Sequence, residues 1–147
     1  MKKFLRCLSL ALVCMFLFNI TASASNSILP QSSSYIMGTS ADIIAESNGH
    51  LIISFSISSY GKMSEIGATS IELYENTGSS TKRVATYNST NPSYSYIMGK
   101  NEGVHAEEVT YDGTIGYKYY AKVHLKACDQ YGGDSVTTIS PTVTAIR

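Results

Sequence analysis

A serine and a lysine three residues apart are the first candidates for covalent chemistry in this sequence. Ser79-Ser80-Thr81-Lys82 matches the Ser-x-x-Lys motif, in which a lysine activates a nucleophilic serine. Enzymes of that kind also need a helix that starts at the serine and two further motifs, which do not occur here. The segment instead has the composition of a hairpin tip that leads into a strand. It therefore predicts no catalytic serine.

Other nucleophilic residues lead to the same prediction. The sequence contains no Gly-x-Ser-x-Gly elbow. Cys128 lies at the end of a predicted strand, on its polar face, and a nucleophilic thiol requires a histidine partner. We therefore predict that the protein is not an enzyme and that it has no cofactor.

Three histidines, His50, His105 and His124, are candidates for metal binding. His105 and Glu107 project from the same face of a predicted strand. A catalytic zinc needs three protein ligands that converge on one point, and the local spacing here does not supply them. His124 sits in a row of lysines, where a solvated imidazole is expected. The histidines therefore predict no metal site.

Asp129 and Asp134 flank a glycine turn and are weak candidates for calcium ligands. Calcium takes six to eight oxygen ligands, so two carboxylates on one loop form only part of a site. Aspartates in such positions more often cap the turn through hydrogen bonds to its backbone. We therefore prefer turn capping, with calcium binding as the alternative.

Tyrosine is the remaining signal, because the sequence has 11 tyrosines and no tryptophan. Some alternate with serines before Ile97, and others fall at strand ends or on a polar face. Tyrosine and serine together make adaptable contact surfaces for protein or glycan partners. The alternative is that the tyrosines fill half-buried strand positions, which aromatic residues suit. The candidate binding surface consists of Tyr60, Tyr94, Tyr96, Tyr120 and Tyr131.

The N-terminal segment has the organisation of a cleavable signal peptide. Three basic residues precede an apolar run over residues 8–18, and small side chains lead to a cleavage site after Ala24. The run is about eleven residues long, well short of the roughly 20 that span a bilayer as a helix. We therefore expect a secreted, extracellular protein, either released or associated with the cell wall, that has no membrane contact after the signal peptide is cleaved.

Three segments follow from this assignment. Residues 1–24 are predicted as the signal peptide, residues 25–34 as a flexible, serine-rich N-terminal arm, and residues 35–147 as one β-sandwich domain. Cleavage removes three of the 11 basic residues and none of the 11 acidic ones, so the net charge becomes −3. Because a clustered basic face is lacking, nucleic acid is excluded as a partner. Cys128 is then the one cysteine left, so a hydrophobic core must hold the fold without a disulfide bond within the chain.

Two segments show the clearest strand patterns. Over residues 51–58, apolar side chains alternate with serines, and over residues 117–127, small, aromatic and aliphatic side chains alternate with lysines and His124. A period of two indicates a half-buried antiparallel strand, with Phe55 and Val123 facing the core. Weaker strands are predicted at 39–46, 70–75, 82–88, 104–111 and 137–146.

The breaks between these segments carry residues that tolerate turn conformations, such as Asn48-Gly49 and Asp112-Gly113. One short helical turn is predicted over residues 62–66. About seven short strands with frequent turns predict an all-β fold, an antiparallel sandwich with immunoglobulin-like or fibronectin-like topology. The sequence around the glycine turn resembles the tyrosine corner of such domains, although a fibronectin-type spacing would place the tyrosine at Ala121.

Three segments also carry a family resemblance. They are 61–68, the Val-Thr-Tyr-Asp-Gly motif at 109–113 with 116–121, and Gly132-Gly133-Asp134-Ser135. Together they resemble a family of small secreted proteins of low-GC Gram-positive bacteria that has no assigned function. The resemblance implies export and a compact β domain, and it supplies no catalytic residues. Val136 stands where the family pattern implies a basic residue.

Two functions remain after these exclusions. The first is a secreted recognition module for protein or glycan surfaces. The second is a structural subunit that assembles when an exposed edge strand pairs with a neighbour. A short or charged edge favours recognition, whereas a long uncharged edge, such as the predicted strand 137–146, favours assembly.

Overall fold

The computed structural model describes residues 33–147, whose strands form two antiparallel sheets packed face to face. The first sheet has the order β1-β2-β6, and the second has the order β4-β3-β7-β8, with β5 pairing with β3 and β9 pairing with β7. Short 3₁₀ turns lie at Ser47–Gly49 and Pro92–Ile97. The strands are β1 (Ile36–Ala45), β2 (His50–Met63), β3 (Glu65–Asn76), β4 (Thr81–Asn88), β5 (Met98–Gly99), β6 (Glu102–Asp112), β7 (Lys118–Cys128), β8 (Gly133–Ile139) and β9 (Val143–Thr144).

Seven of these strands are seven residues or longer, and their order is that of a fibronectin-like sandwich. The first, second and fifth long strands make one sheet, and the other four make the second. The predicted all-β sandwich of about seven strands is therefore confirmed.

The core lies between the two sheets and follows the predicted alternation. In β2, Leu51, Ile53, Phe55 and Ile57 are buried, while the serines between them are half-buried on the outer face. In β7, the five residues at odd positions from Tyr119 to Ala127 are also buried. Both predicted core faces are confirmed, because period-two alternation leaves one register that buries the apolar side chains.

Two local predictions are wrong. Residues 62–66 form the end of β2 and the start of β3 rather than a helical turn. The segment 137–146 is not one strand, since β8 ends at Ile139 and β9 begins at Val143. Ser140 interrupts it because its hydroxyl accepts the backbone N–H of Ala121 at 2.8 Å, and Pro141 has no N–H to continue the ladder.

A buried tyrosine fixes the corner between β6 and β7. The Tyr119 hydroxyl accepts the backbone N–H of Thr114 at 2.8 Å and donates to Glu75 Oε2 at 2.6 Å. Glu75 is itself buried and also pairs with Lys82 at 3.0 Å. The hydrogen bond from Tyr119, and then that from Lys82, hold the pKa of Glu75 below its usual value. This is a tyrosine corner, and it uses Tyr119 rather than position 121.

The antiparallel order gives the sandwich two distinct ends. The loop end comprises residues 33–35, the turn at Ser64, residues 98–101 and the hairpin turn 129–132. The opposite end comprises Ser47–Gly49, residues 77–80 and 113–117, and the last residues of the chain. At the opposite end, Gly49 donates to the carbonyl of Ile146 and its own carbonyl accepts the N–H of Gly113, so these segments are joined.

The predicted signal peptide, residues 1–24, and most of the predicted arm, 25–34, lie outside the described residues. The segment boundaries therefore stay predictions. Within residues 33–147, no helix is long and apolar enough to span a membrane.

Candidate recognition surface at the loop end

The five candidate tyrosines do not form one surface. The structure places Tyr120 on the outer face of the second sheet, Tyr94 and Tyr96 on a lateral side of the sandwich, and Tyr60 and Tyr131 at the loop end.

Tyr120 belongs to a network on the outer face of the β3 and β7 strands. Its ring stacks on that of Tyr74, with 5.1 Å between centroids and 7° between planes. The Lys122 ammonium lies 4.9 Å from the Tyr74 centroid, and the Tyr74 hydroxyl donates to Glu72 at 2.8 Å. That bond to Glu72 is the main reason why the pKa of Tyr74 is raised. The neighbours of Tyr120 are therefore engaged with one another.

Tyr94 and Tyr96 close the side of the sandwich where β4 and β6 are the edge strands. Tyr94 meets the buried Tyr87 edge-on, with 5.0 Å between ring centroids, and Tyr87 donates to the carbonyl of Thr110 at 2.8 Å. Burial raises the pKa of Tyr87 to about 12. Tyr96 donates to the carbonyl of Glu108 at 3.3 Å. These contacts give both tyrosines a role in attaching the connection 89–101 to the domain.

The loop end holds the most exposed apolar side chains of the described residues. Tyr131 is 83% exposed, Tyr60 68%, Val104 62% and Met37 55%. Aromatic residues and methionine are enriched at the centres of protein interfaces. Sequence reasoning found the two tyrosines and missed Met37 and Val104.

The register of the first sheet brings three of these residues together. Ser58 on β2 pairs with Gly38 on β1 and with Val104 on β6. Met37 precedes Gly38, and Tyr60 lies two residues beyond Ser58. Because neighbouring strands are about 4.8 Å apart, residues on β1 and β6 are about 10 Å from each other here. Met37, Tyr60 and Val104 therefore form one apolar patch at the loop end.

The outer face below this patch carries short serine side chains on β2, with the carboxylates of Asp42 and Glu108 on either side of Ser54. Ser54, Ser56 and Ser58 follow one another on β2, and Ser56 pairs with Ser40 on β1, their hydroxyls 2.7 Å apart. Serine side chains are short, so the exposed side chain of Tyr60 projects beyond this part of the surface.

The hairpin turn that carries Tyr131 is held by Asp129. Asp129 Oδ1 accepts the N–H of Tyr131 at 2.7 Å and that of Gly132 at 3.2 Å, and the Asp129 N–H donates to the carbonyl of Gly132 at 2.9 Å. Asp129 therefore caps the turn, which is the role that we preferred for it over calcium binding.

Asp134 joins the beginning of the described chain to the same turn. Asp134 Oδ2 accepts the hydroxyl of Ser33 at 2.7 Å and the N–H of Tyr35 at 3.0 Å. The bond from Ser33, and then that from Tyr35, lower the pKa of Asp134. Burial, followed by the charges of Asp129 and Asp134, raises the pKa of Tyr35. Both candidate calcium ligands thus have hydrogen-bonding roles within the loop end.

A groove of about 410 Å³ opens at the loop end beside Tyr131. Its floor includes the buried Met63, and polar residues surround it. The lining residues are Lys62, Met63, Ser64, Asn101, Asp129, Gln130 and Tyr131. They come from three different connections, so the groove exists only in the folded domain.

The three histidines lie apart. His105 is held between Glu102, 2.7 Å from Nδ1, and the carbonyl of Tyr96, 3.0 Å from Nε2. His50 pairs with Asp112, and Nδ1 of His124 lies 2.9 Å from the hydroxyl of Thr137. Among residues 33–147, no three His, Cys, Asp or Glu side chains form a group that could hold a metal ion.

Comparisons with known proteins give little further information. No family model matches the chain, and no curated protein matches it. One similar solved structure is the sensor domain of the anti-sigma factor RsgI4 of Pseudobacteroides cellulosolvens. The alignment covers 78% of this chain and 98% of that one, with 14% identity and a TM-score of 0.43.

Proposed function

We propose that this protein is an exported, non-catalytic recognition module that binds a macromolecular surface through its loop end. The observation that carries the proposal is the convergence of Met37, Tyr60, Val104 and Tyr131, the four most exposed large apolar side chains of residues 33–147, on that end. Exposed apolar residues that are scattered singly need no explanation, but a group of them at one end of a domain supports an interaction site there.

The rigidity of the loop end supports the same proposal. Asp129 caps the turn below Tyr131, and Asp134 attaches the strand start at Tyr35 to it. A turn whose backbone is already held in place loses little conformational entropy on binding, so more of the contact energy of its side chains contributes to affinity. The motif resemblance to small secreted proteins supports the extracytoplasmic location.

Assembly through the predicted C-terminal edge, now β8, has less support. The uncharged edge predicted over ten residues is divided by Ser140 and Pro141, and β8 spans seven residues. Its first residues adjoin the chain start, because Asp134 accepts from Ser33 and Tyr35. A short, interrupted edge is a poor template for pairing with another chain.

Cosedimentation with producer-cell envelopes tests the proposal with two matched triple variants. The loop-end variant carries Tyr60→Ser, Val104→Ser and Tyr131→Ser. The control carries Ile44→Ser, Ile115→Ser and Ile146→Ser, three exposed isoleucines of the opposite end. Since truncation of one interface hot spot costs about 2 kcal/mol or more and tyrosines are enriched among hot spots, the loop-end variant should bind at least about tenfold more weakly.

The control variant should bind like the unmodified protein, and both variants should unfold at similar urea concentrations. Equal binding by the two variants, or no binding of the unmodified protein to envelopes, would contradict the proposal.

A further inference from the structure

The polar side chains around the loop-end groove are free to bind a ligand. Within residues 33–147, the side chains of Lys62, Asn101 and Gln130 make no hydrogen bond or ion pair, and Asp129 uses only Oδ1. Other loop residues behave differently, because Asn76 and Asn91 cap their own turns through their side-chain oxygens. The groove therefore presents donors and acceptors that the fold itself does not use.

The same groove combines this polar rim with an apolar floor and an aromatic wall. Met63 is buried below it, and Tyr131, 83% exposed, stands beside it. Sugar rings have the matching chemistry, since their C–H faces pack on aromatic rings while their hydroxyls both donate and accept hydrogen bonds. The groove volume of about 410 Å³ is within the range of roughly 300–1,000 Å³ for small-ligand sites.

Charge and backbone geometry narrow the class of ligand. The lining carries one basic residue, Lys62, and one acidic residue, Asp129, so it favours a neutral ligand over an ionic one. An extended peptide would be expected to pair with a strand edge. The polar rim, however, comes mostly from the end of β2, the turn at Asn101 and the hairpin turn 129–132.

We infer that the loop-end groove binds a neutral saccharide unit of a surface glycan, with the ring stacked on Tyr131 and its hydroxyls held by Lys62, Asn101, Asp129 and Gln130. This inference rests on the proposed function, since it names the ligand class of the same end of the domain. The apolar patch of Met37, Tyr60 and Val104 then contacts the remainder of the surface.

Nuclear magnetic resonance titration of the ¹⁵N-labelled protein tests the inference directly. The probes are cellotetraose, xylotetraose and N,N′,N″,N‴-tetraacetylchitotetraose, each raised to about 10 mM, which is enough to populate a millimolar site. At least one should shift the amide signals of Ser64, Asn101 and residues 129–132, while signals at the opposite end stay fixed. The absence of shifts with all three probes would overturn the inference.

Variants distinguish stacking from other contacts. Tyr131→Ala should weaken binding of the active saccharide at least about tenfold, whereas Tyr131→Phe, which keeps the ring, should retain it. Tyr117→Ala is the matched control, because it removes an exposed tyrosine of the opposite end and should leave saccharide binding unchanged. Equal effects of Tyr131→Ala and Tyr131→Phe would contradict stacking.

Envelope treatments separate failure of this inference from failure of the proposed function. Periodate, which cleaves vicinal diols, should abolish the loop-end-dependent sedimentation if cellotetraose or xylotetraose is the active probe. Lysozyme should abolish it instead if the acetylated chitotetraose is the active probe, because the internal rings of that sugar lack vicinal diols, and proteinase K should preserve it in either case. If the sedimentation is lost after proteinase K and survives both periodate and lysozyme, the saccharide assignment is overturned, while recognition through the loop end stays in place. Sedimentation that does not depend on Tyr60, Val104 and Tyr131 would overturn both.

Discussion

Replacing Tyr119 with phenylalanine tests how the domain tolerates a carboxylate in its interior. The Tyr119→Phe variant keeps the buried ring but removes the hydroxyl that donates to Glu75 and accepts from the Thr114 N–H. Hydrogen bonds to charged groups contribute about 1.5–3 kcal/mol, and a neutral one contributes about 0.5–1.5 kcal/mol. We expect the free energy of unfolding to fall by about 2–4 kcal/mol at pH 7, a large fraction of a typical total of about 5–15 kcal/mol.

The pH dependence identifies Glu75 as the group involved. Its folded-state pKa is lowered, so its contribution to stability is present above the unfolded value of about 4.3 and is lost as the pH falls through the folded value. Tyr119→Phe removes the main cause of that lowering. The difference in the free energy of unfolding between the two proteins should therefore be smaller at pH 3 than at pH 7.

Urea denaturation at pH 7 and pH 3 measures both quantities, with Tyr60→Phe as the control. Tyr60 is exposed and its hydroxyl has no partner within residues 33–147, so this control should change stability by at most about 0.5 kcal/mol. A double-mutant cycle with Glu75→Gln should give a coupling energy of about 1 kcal/mol or more. A Tyr119→Phe effect below about 0.5 kcal/mol, or one that is equal at the two pH values, would refute the reasoning.

Two further predictions concern the core and the processing of the chain. Phe55→Ala should lower the free energy of unfolding by about 3–5 kcal/mol, because it removes a buried ring. Ser56→Ala, on the outer face, should lower it by at most about 0.5 kcal/mol. Similar losses for the two variants in urea melts would show that the faces of β2 are misassigned. Mass spectrometry of protein recovered from the culture medium should give an N-terminus at or near Ser25, and a membrane-retained form that keeps residues 1–24 would contradict the signal-peptide assignment.

The sandwich was predictable because local alternation determines it. In β2 and β7, one face is apolar at every second residue, and only one register buries that face. The exposure of Val104 was also within reach, since Val109 faces the core and the parity of β6 then places Val104 outside.

The corner between β6 and β7 and the end of β8 were harder to predict, because side-chain hydrogen bonds determine both. Tyr119 takes the corner position because Glu75 and Thr114 lie within reach of its hydroxyl. Ser140 ends β8 by bonding to Ala121 on the neighbouring strand. Neither pairing has a signature in the spacing of the sequence.

The candidate site was only partly predictable for a similar reason. Tyr60 and Tyr131 were found, but composition could not separate them from Tyr94, Tyr96 and Tyr120, which lie on other sides of the domain. The groove is lined from three connections that are far apart in sequence, so its residues come together only through the pairing of the sheets.

The odd number of long strands has a mechanical consequence. The described chain starts at the loop end and finishes at the opposite end, so a pull between Ser33 and Ile146 runs roughly along the strand axes. Such a force loads the nine residue pairs of the β1–β2 ladder in shear, where the bonds share the tension, rather than unzipping them one by one. The Asp134 bonds to Ser33 and Tyr35 would be the first to take the tension. A pull on the start of the described chain would therefore disturb the contacts of the loop end before it separates the strands of the first sheet.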